Sequence, residues 1–267
     1  MLKVKKPTKS FFFKANEEAY EMFQKSMDSY ARFFCRVIGV DVLSESFHLN
    51  FATYFLFIDL MSFFIISFQN IYSFRNDFIR STFCILTLGM GFQGAIKLYT
   101  FVFRRPDILQ LYDLIIFFQK SVKSFKIKNA LENSVLNSCI AALILIPMYI
   151  MSGILMFIYP IVYYMIYGEK ILHFGFILPF IDVESHLGYA LNFFYDALQI
   201  FFIINGTIAS NMGFMMFITG AFGQYDALNV FLRKLDLLSK ENVDGCNDQL
   251  IKQDIKEVAS IHVELIK

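Results

Sequence analysis

Two ionisable side chains, Asp59 and Lys97, stand inside otherwise apolar stretches of this sequence. An ionisable group within a membrane span is costly to hold and by default marks a functional candidate. Lys97 has a long stem that can lift its ammonium toward the nearer boundary. Asp59 has no such reach and must face protein or water. Measured at helical rise from His48 and Arg104, their depths differ by about 6 Å, so a direct ion pair between them is not favoured.

The other chemistry-bearing patterns are weaker. Gly89-Met90-Gly91-Phe92-Gln93-Gly94 spells GxGxxG, with Asp113 placed 19 residues beyond Gly94. A dinucleotide fingerprint needs a strand before it and a helix after it. Here the motif lies within an apolar stretch of helix length, so close helix packing through Gly91-x-x-x-Ala95 is expected instead. Asp182-x-Glu184-x-His186 offers metal-ligating atom types, but with a single His it reads as loop charge. Ser152 and Thr87 have no His or acid near them in sequence and read as packing residues, and His48 and His262 form no pair. No catalytic residue, metal site or cofactor is expected.

The elements that position these residues are membrane helices. Hydrophobic residues make up 57% of the 267 and charged residues 18%, with 34 Phe, 14 Tyr and a mean hydropathy of +0.52. A charged share of about 25% is usual in globular proteins. The net charge of +1 supplies no basic footprint for nucleic acid. A spanning helix needs about 20 mostly apolar residues. Residues 133–168 and 197–225 are uncharged runs of 36 and 29. Phe47 to Phe74 carries only Asp59, and Phe78 to Phe103 carries Arg80 and Lys97 near its ends. The spacing predicts an all-α polytopic bundle with spans at about 48–70, 78–103, 135–160 and 189–218.

Twenty of the 24 Lys and Arg fall in residues 1–46, in the loop between spans two and three, or after span four. The positive-inside rule then puts the N-terminus, that loop and the tail in the cytosol. Residues 1–46 form a cytosolic segment with an amphipathic helix over 15–36, residues 47–218 the bundle, and 219–267 a tail of two amphipathic helices, 226–239 and 248–267. Arg104-Arg105-Pro106 closes span two and opens a helix over 107–121. Pro147 is expected to kink span three. Tyr159, Tyr163, Tyr164 and Tyr167 form an interfacial belt in a chain without Trp. The loop 161–188 lies outside and is apolar, so it is expected to fold back as a lid. No Cys falls in an outer loop, so no disulfide is expected. Asn205-Gly206-Thr207 lies within a span and is expected to be unmodified.

Arg36-Val37-Ile38-Gly39-Val40, ahead of span one, resembles the segment that leads into the first span of insect odorant receptors. Gly91-Phe92-Gln93-Gly94-Ala95-Ile96-Lys97-Leu98 is similar to that family's second helix, and Pro179-Phe180-Ile181-Asp182 resembles its apolar, proline-containing outer loop. The cytosolic N-terminus agrees, and the resemblance covers nearly the whole chain. It implies a plasma-membrane odorant receptor subunit, part of an odorant-gated cation channel with the family's co-receptor, and no enzyme. It also implies seven spans, of which these four are the first, so the chain is expected to be truncated before the pore helix. Composition by itself shows only a membrane protein.

In that family the odorant pocket occupies the outer half of the bundle. Chosen by depth, the ligand-binding candidates are Phe83, Thr87 and Met90 in span two, Tyr149, Ser152, Gly153 and Met156 in span three, and Tyr189, Phe193 and Asp196 in span four. Aromatic walls with few polar groups suit a small, apolar, volatile ligand. A gustatory receptor fragment is the alternative within receptors. A membrane-embedded enzyme such as an acyltransferase is the rival from another class. It needs a His or acid cluster at one depth, and Asp59 and Asp196 are the only acids in the spans, with no His accompanying them there. The middle of the four spans is almost wholly Phe, Ile, Leu and Met, without the carbonyl or charged rings that selectivity requires, so these spans are not expected to conduct alone. The charge bias makes a direct prediction. Glycosylation acceptors inserted in 161–188 should be modified and acceptors in 107–130 should not; the reverse pattern would invert the topology.

Overall fold

The computed structural model describes residues 18–44, 47–122, 125–241 and 255–256. Among these residues every regular element is helical: α1 Ala19–Met27, a π-helical turn Asp28–Arg32, α2 Phe33–Val37, α3 Phe51–Ser73, α4 Phe78–Phe103, α5 Arg105–Ser121, α6 Phe125–Tyr167 and α7 His186–Glu241. The expected helix over 248–267, Cys246, His262 and most of the first 17 residues' reading fall outside the described residues.

Local chemistry starts these helices where it should. Glu18 and Glu21 form a capping box at α1. Asn50 accepts from the Thr53 amide at 2.9 Å to start α3, and Asp77 accepts from the Arg80 amide at 3.1 Å to start α4. The Ser185 hydroxyl accepts from the Gly188 amide at 2.9 Å to start α7. Pro106 sits in the first turn of α5, where its missing N–H is harmless.

Four helices are long and apolar enough to cross a bilayer: Phe51–Ser73, Phe78–Phe103, Ile127–Tyr167 and His186–Leu237. Their outward faces carry large apolar side chains such as Phe51, Ile58, Phe78, Ile96 and Met165, while Thr53, Asp59, Ser67, Asn70 and Asn192 are buried. That inversion suits a hydrocarbon solvent, where polar groups must be satisfied internally.

Three boundaries differ from the sequence reading. The span expected at 135–160 lies within a longer helix that runs through both Pro147 and Pro160. The apolar loop is consequently shorter, 168–185 rather than 161–188. The fourth span and the helix expected at 226–239 are one continuous α7. No proline interrupts it, and Gly220 and Gly223 serve packing instead. A Cβ at Gly220 would stand 3.0 Å from Ile115, and one at Gly223 3.0 Å from Ser134.

The chain divides into two compact units, with α6 and α7 contributing to each. The first comprises Met1–Ser29, Pro106–Leu143 and Met212–Lys267. Its core joins Ala19, Val122, Leu131 and Ala227, flanked by Phe118 and Ile127. Phe23 packs on Tyr112, ring centroids 5.9 Å apart, and Ser26 meets the Cys139 thiol at 3.1 Å. Ser134 and Ser138 both hydrogen-bond to Thr219.

The second unit comprises Tyr30–Arg105 and Ile144–Asn211. At one end, residues 38–44 turn into the bundle. Gly39 adopts φ +79°, and a Cβ there would fall 2.4 Å from that of Ala52, so only glycine fits. Its carbonyl accepts from the Thr53 hydroxyl at 2.7 Å. Arg32 and Arg36 grip Asp41 at 2.8 and 3.0 Å, and Arg105 donates to the Val42 and Ser44 carbonyls. Ile38, Val40 and Val42 pack there with Leu56.

At the other end the 168–185 loop folds into the bundle. Phe174 and Phe176 are buried against Phe63, Ile66, Cys84 and Ile200. Asn70 accepts from the Ile177 amide at 3.0 Å and donates to the Ile177 carbonyl at 3.1 Å. Asn192 accepts from the Leu178 amide at 2.7 Å, and Asp196 accepts from the Phe174 amide at 3.1 Å. These side chains do for an irregular buried loop what a ladder does for a strand. Asn70→Leu leaves two Ile177 groups without partners, which should remove about 1–3 kcal/mol of stability. Thermal unfolding in nanodiscs reads that loss, and limited proteolysis should show faster cleavage within 168–185. Unchanged melting and cleavage would mean that Asn70 does not hold the loop.

Candidate functional site: a mostly apolar cavity in the second unit

The second unit holds a partly open cavity of about 380 Å³ between α3, α4, α6 and α7. That volume lies within the usual range of ligand pockets, roughly 300–1,000 Å³. Leu60, Phe63, Leu98, Phe101, Phe202 and Ile203 supply apolar wall. Cys35, Ile38 and Val40 close the end at which the N-terminal segment turns in. Asp59, Gln93, Lys97, Tyr149, Ser152, Gln199, Thr207 and Ser210 supply the polar groups.

Two polar arrangements cross between helices. Gln199 Nε2 on α7 donates to Asp59 Oδ1 on α3 at 2.8 Å, and Asp59 is only 7% exposed. Lys97 Nζ on α4 donates to Asn211 Oδ1 on α7 at 2.9 Å, and Asn211 Nδ2 donates to Tyr149 Oη on α6 at 2.8 Å. Asp59 and Lys97 therefore have separate partners. Cys35 is no nucleophile: burial, helped by the nearby Asp41 carboxylate, pushes its thiol up to about 12.

Of the residues chosen by depth, Met90, Tyr149, Ser152 and Met156 line the cavity, as do Asp59 and Lys97. The others are placed elsewhere. Phe83 is half exposed on the outer face of α4. Thr87 is buried, with its hydroxyl donating to the Phe83 carbonyl. Gly153 makes a close approach, since a Cβ would fall 1.9 Å from Ile204 Cδ1. Tyr189, Phe193 and Asp196 secure the 168–185 loop. Tyr189 donates to the Ile171 carbonyl at 3.1 Å, and Phe193 packs on His173 with centroids 4.8 Å apart. Asp196 holds the Phe174 amide, with His173 Nδ1 3.9 Å from its carboxylate. Burial lowers the His173 pKa, so the ring is neutral at pH 7. The loop fills the end of the unit where the pocket was expected, and the open space lies nearer residues 38–40.

Gln93, Gln199 and Asn211 escaped the sequence reading. Each is an uncharged amide in an apolar run, the signal that charge counting overlooks. The GxGxxG pattern lies within α4, and its working residue is Gly91, where a Cβ would strike Phe63 at 2.3 Å. Asp182 accepts from the Glu184 amide in the turn ahead of α7, and among the described residues no three His, Cys, Asp or Glu side chains converge. Comparison with known proteins returns no match: no family model, no curated protein and no solved structure is similar to the chain.

The Asp59–Gln199 contact predicts a cycle. Gln199→Leu leaves a buried carboxylate without its donor and should destabilise the chain by about 1–3 kcal/mol. Adding Asp59→Leu should recover most of that loss, because an apolar pair replaces a polar one. Reversible unfolding of the single and double variants measures it. A neutral Gln199→Leu, or a double variant worse than either single one, would contradict the contact's role.

Proposed function

We propose that the chain is part of an odorant receptor subunit of the insect type, a multi-pass plasma-membrane protein that binds a small volatile ligand and acts with a co-receptor as a gated cation channel. The observation that carries this reading is the mostly apolar cavity with a few convergent polar groups, lined by membrane-length helices. The motifs that carry the resemblance are structural in the same unit. Gly39 turns the N-terminal segment in, Gly91 lets α4 approach α3, and the 168–185 loop folds back onto the bundle. In this reading the described spans recognise ligand.

A membrane-embedded acyltransferase is the second reading, and the same preparation tests both. The chain in nanodiscs should bind a small volatile saturably, read by quenching of tyrosine emission. Ser152→Phe, which fills the cavity, should reduce that binding at least tenfold. Incubation with an acyl donor and acceptor should give no transfer. Binding indifferent to Ser152→Phe would remove the cavity as the ligand site, and acyl transfer would replace the receptor reading with the enzyme.

A further inference from the structure

Lys97 is a half-buried cation whose side-chain partner, among the described residues, is the neutral amide of Asn211; no carboxylate pairs with it. An ammonium within a span without a counter-ion is an expensive arrangement, one that an entering anion relieves. The hydrogen-bonding capacity of its neighbours points the same way. Lys97 carries three N–H donors and no acceptor, and Asn211 takes one of them. Asn211 turns its carbonyl to Lys97 and its NH2 to Tyr149 Oη, so that oxygen is the acceptor in this contact. The Tyr149 hydroxyl proton is thereby left to donate elsewhere. Lys97 and Tyr149 both line the cavity, and Asn211 ties the two donors together.

We propose that this relay is a head-group subsite that takes a carboxylate, and that the cavity's ligand is a small aliphatic acid with its chain among Leu98, Phe101 and Phe202. The proposal rests on the cavity being the ligand site. The competing head group is an amine directed to Asp59. Asp59 is the more recessed of the two, 7% exposed, and Gln199 already engages one of its oxygens. Lys97 is the less recessed of the two, and it keeps two free donors with the Tyr149 hydroxyl on the same wall. A carboxylate accepting from Lys97 and Tyr149 gains charge-assisted hydrogen bonds that an alcohol or ester of the same length cannot match.

The test uses the whole chain in nanodiscs of zwitterionic lipid, with hexanoate, 1-hexanol, methyl pentanoate and hexylamine as probes. Hexanoate should bind at least about tenfold tighter than hexanol or the ester, the factor a charged hydrogen bond supplies. Lys97→Met should abolish that preference, so that hexanoate and hexanol bind the variant with affinities within about twofold of each other. Lys97→Arg should keep much of the preference, and Tyr149→Phe should reduce it by a smaller factor. Equal affinities for the three oxygen-bearing probes, tightest binding of hexylamine, or a hexanoate preference that survives Lys97→Met would each overturn the assignment. Ser152→Phe separates this from failure of the site itself. If it blocks all four probes while no head group is preferred, the head-group assignment alone has failed. If it blocks none, the cavity is not the ligand site and both readings fall.

Discussion

A carboxylate or carboxamide inside a span has no water to fall back on. Each must find its partner within the protein, and the unsatisfied alternative costs several kcal/mol. The second unit is organised by that requirement. Asn70, Asn192 and Asp196 spend their hydrogen bonds on the backbone of the 168–185 loop. Asp59 and Gln199 satisfy one another, and Asn211 links Lys97 to Tyr149. The first group gives an irregular loop a fixed seat where no sheet or helix supplies one. The second group keeps polar atoms at the cavity wall, where a ligand can meet them.

The two groups divide the unit lengthwise. The loop occupies one end, with Phe174 and Phe176 in the core. The N-terminal segment closes the other, held by Gly39, Thr53 and the arginines on Asp41. Between these plugs the helices are held apart at the cavity and brought together at Gly91 and Gly153, where added methyl groups would collide with Phe63 and Ile204. Small residues thus set the close contacts, and large aromatics set the walls.

Spans were legible in the sequence because hydrophobic length alone identifies them; all four have matching helices, and Asn50 and Asp77 cap two of them. The seat of Asp59 followed from cost, since a short acid in a span has to turn inward. Helix ends were less legible. Tyr163 to Tyr167 reads as interface composition, yet those residues extend α6, and nothing between Ile218 and Asp226 signals that α7 continues. Depth alone does not separate cavity from loop seat: Met90, Tyr149, Ser152 and Met156 line the cavity, while Tyr189, Phe193 and Asp196, chosen on the same ground, hold the loop. Periodicity carries no information about where a loop of 18 residues will fold, and amides such as Gln199 and Asn211 do not stand out without charge.

The central claim is that the space for a ligand lies toward residues 38–40 and not beneath the 168–185 loop. A short-chain aliphatic acid bearing a diazirine, photolysed on the intact chain in nanodiscs and mapped by peptide mass, tests it directly. Labels should fall on Met90, Leu98, Tyr149 and Phe202 and be competed by hexanoate. Competed labels confined to Phe174, Tyr189 and Phe193 would put the ligand under the loop and contradict this account.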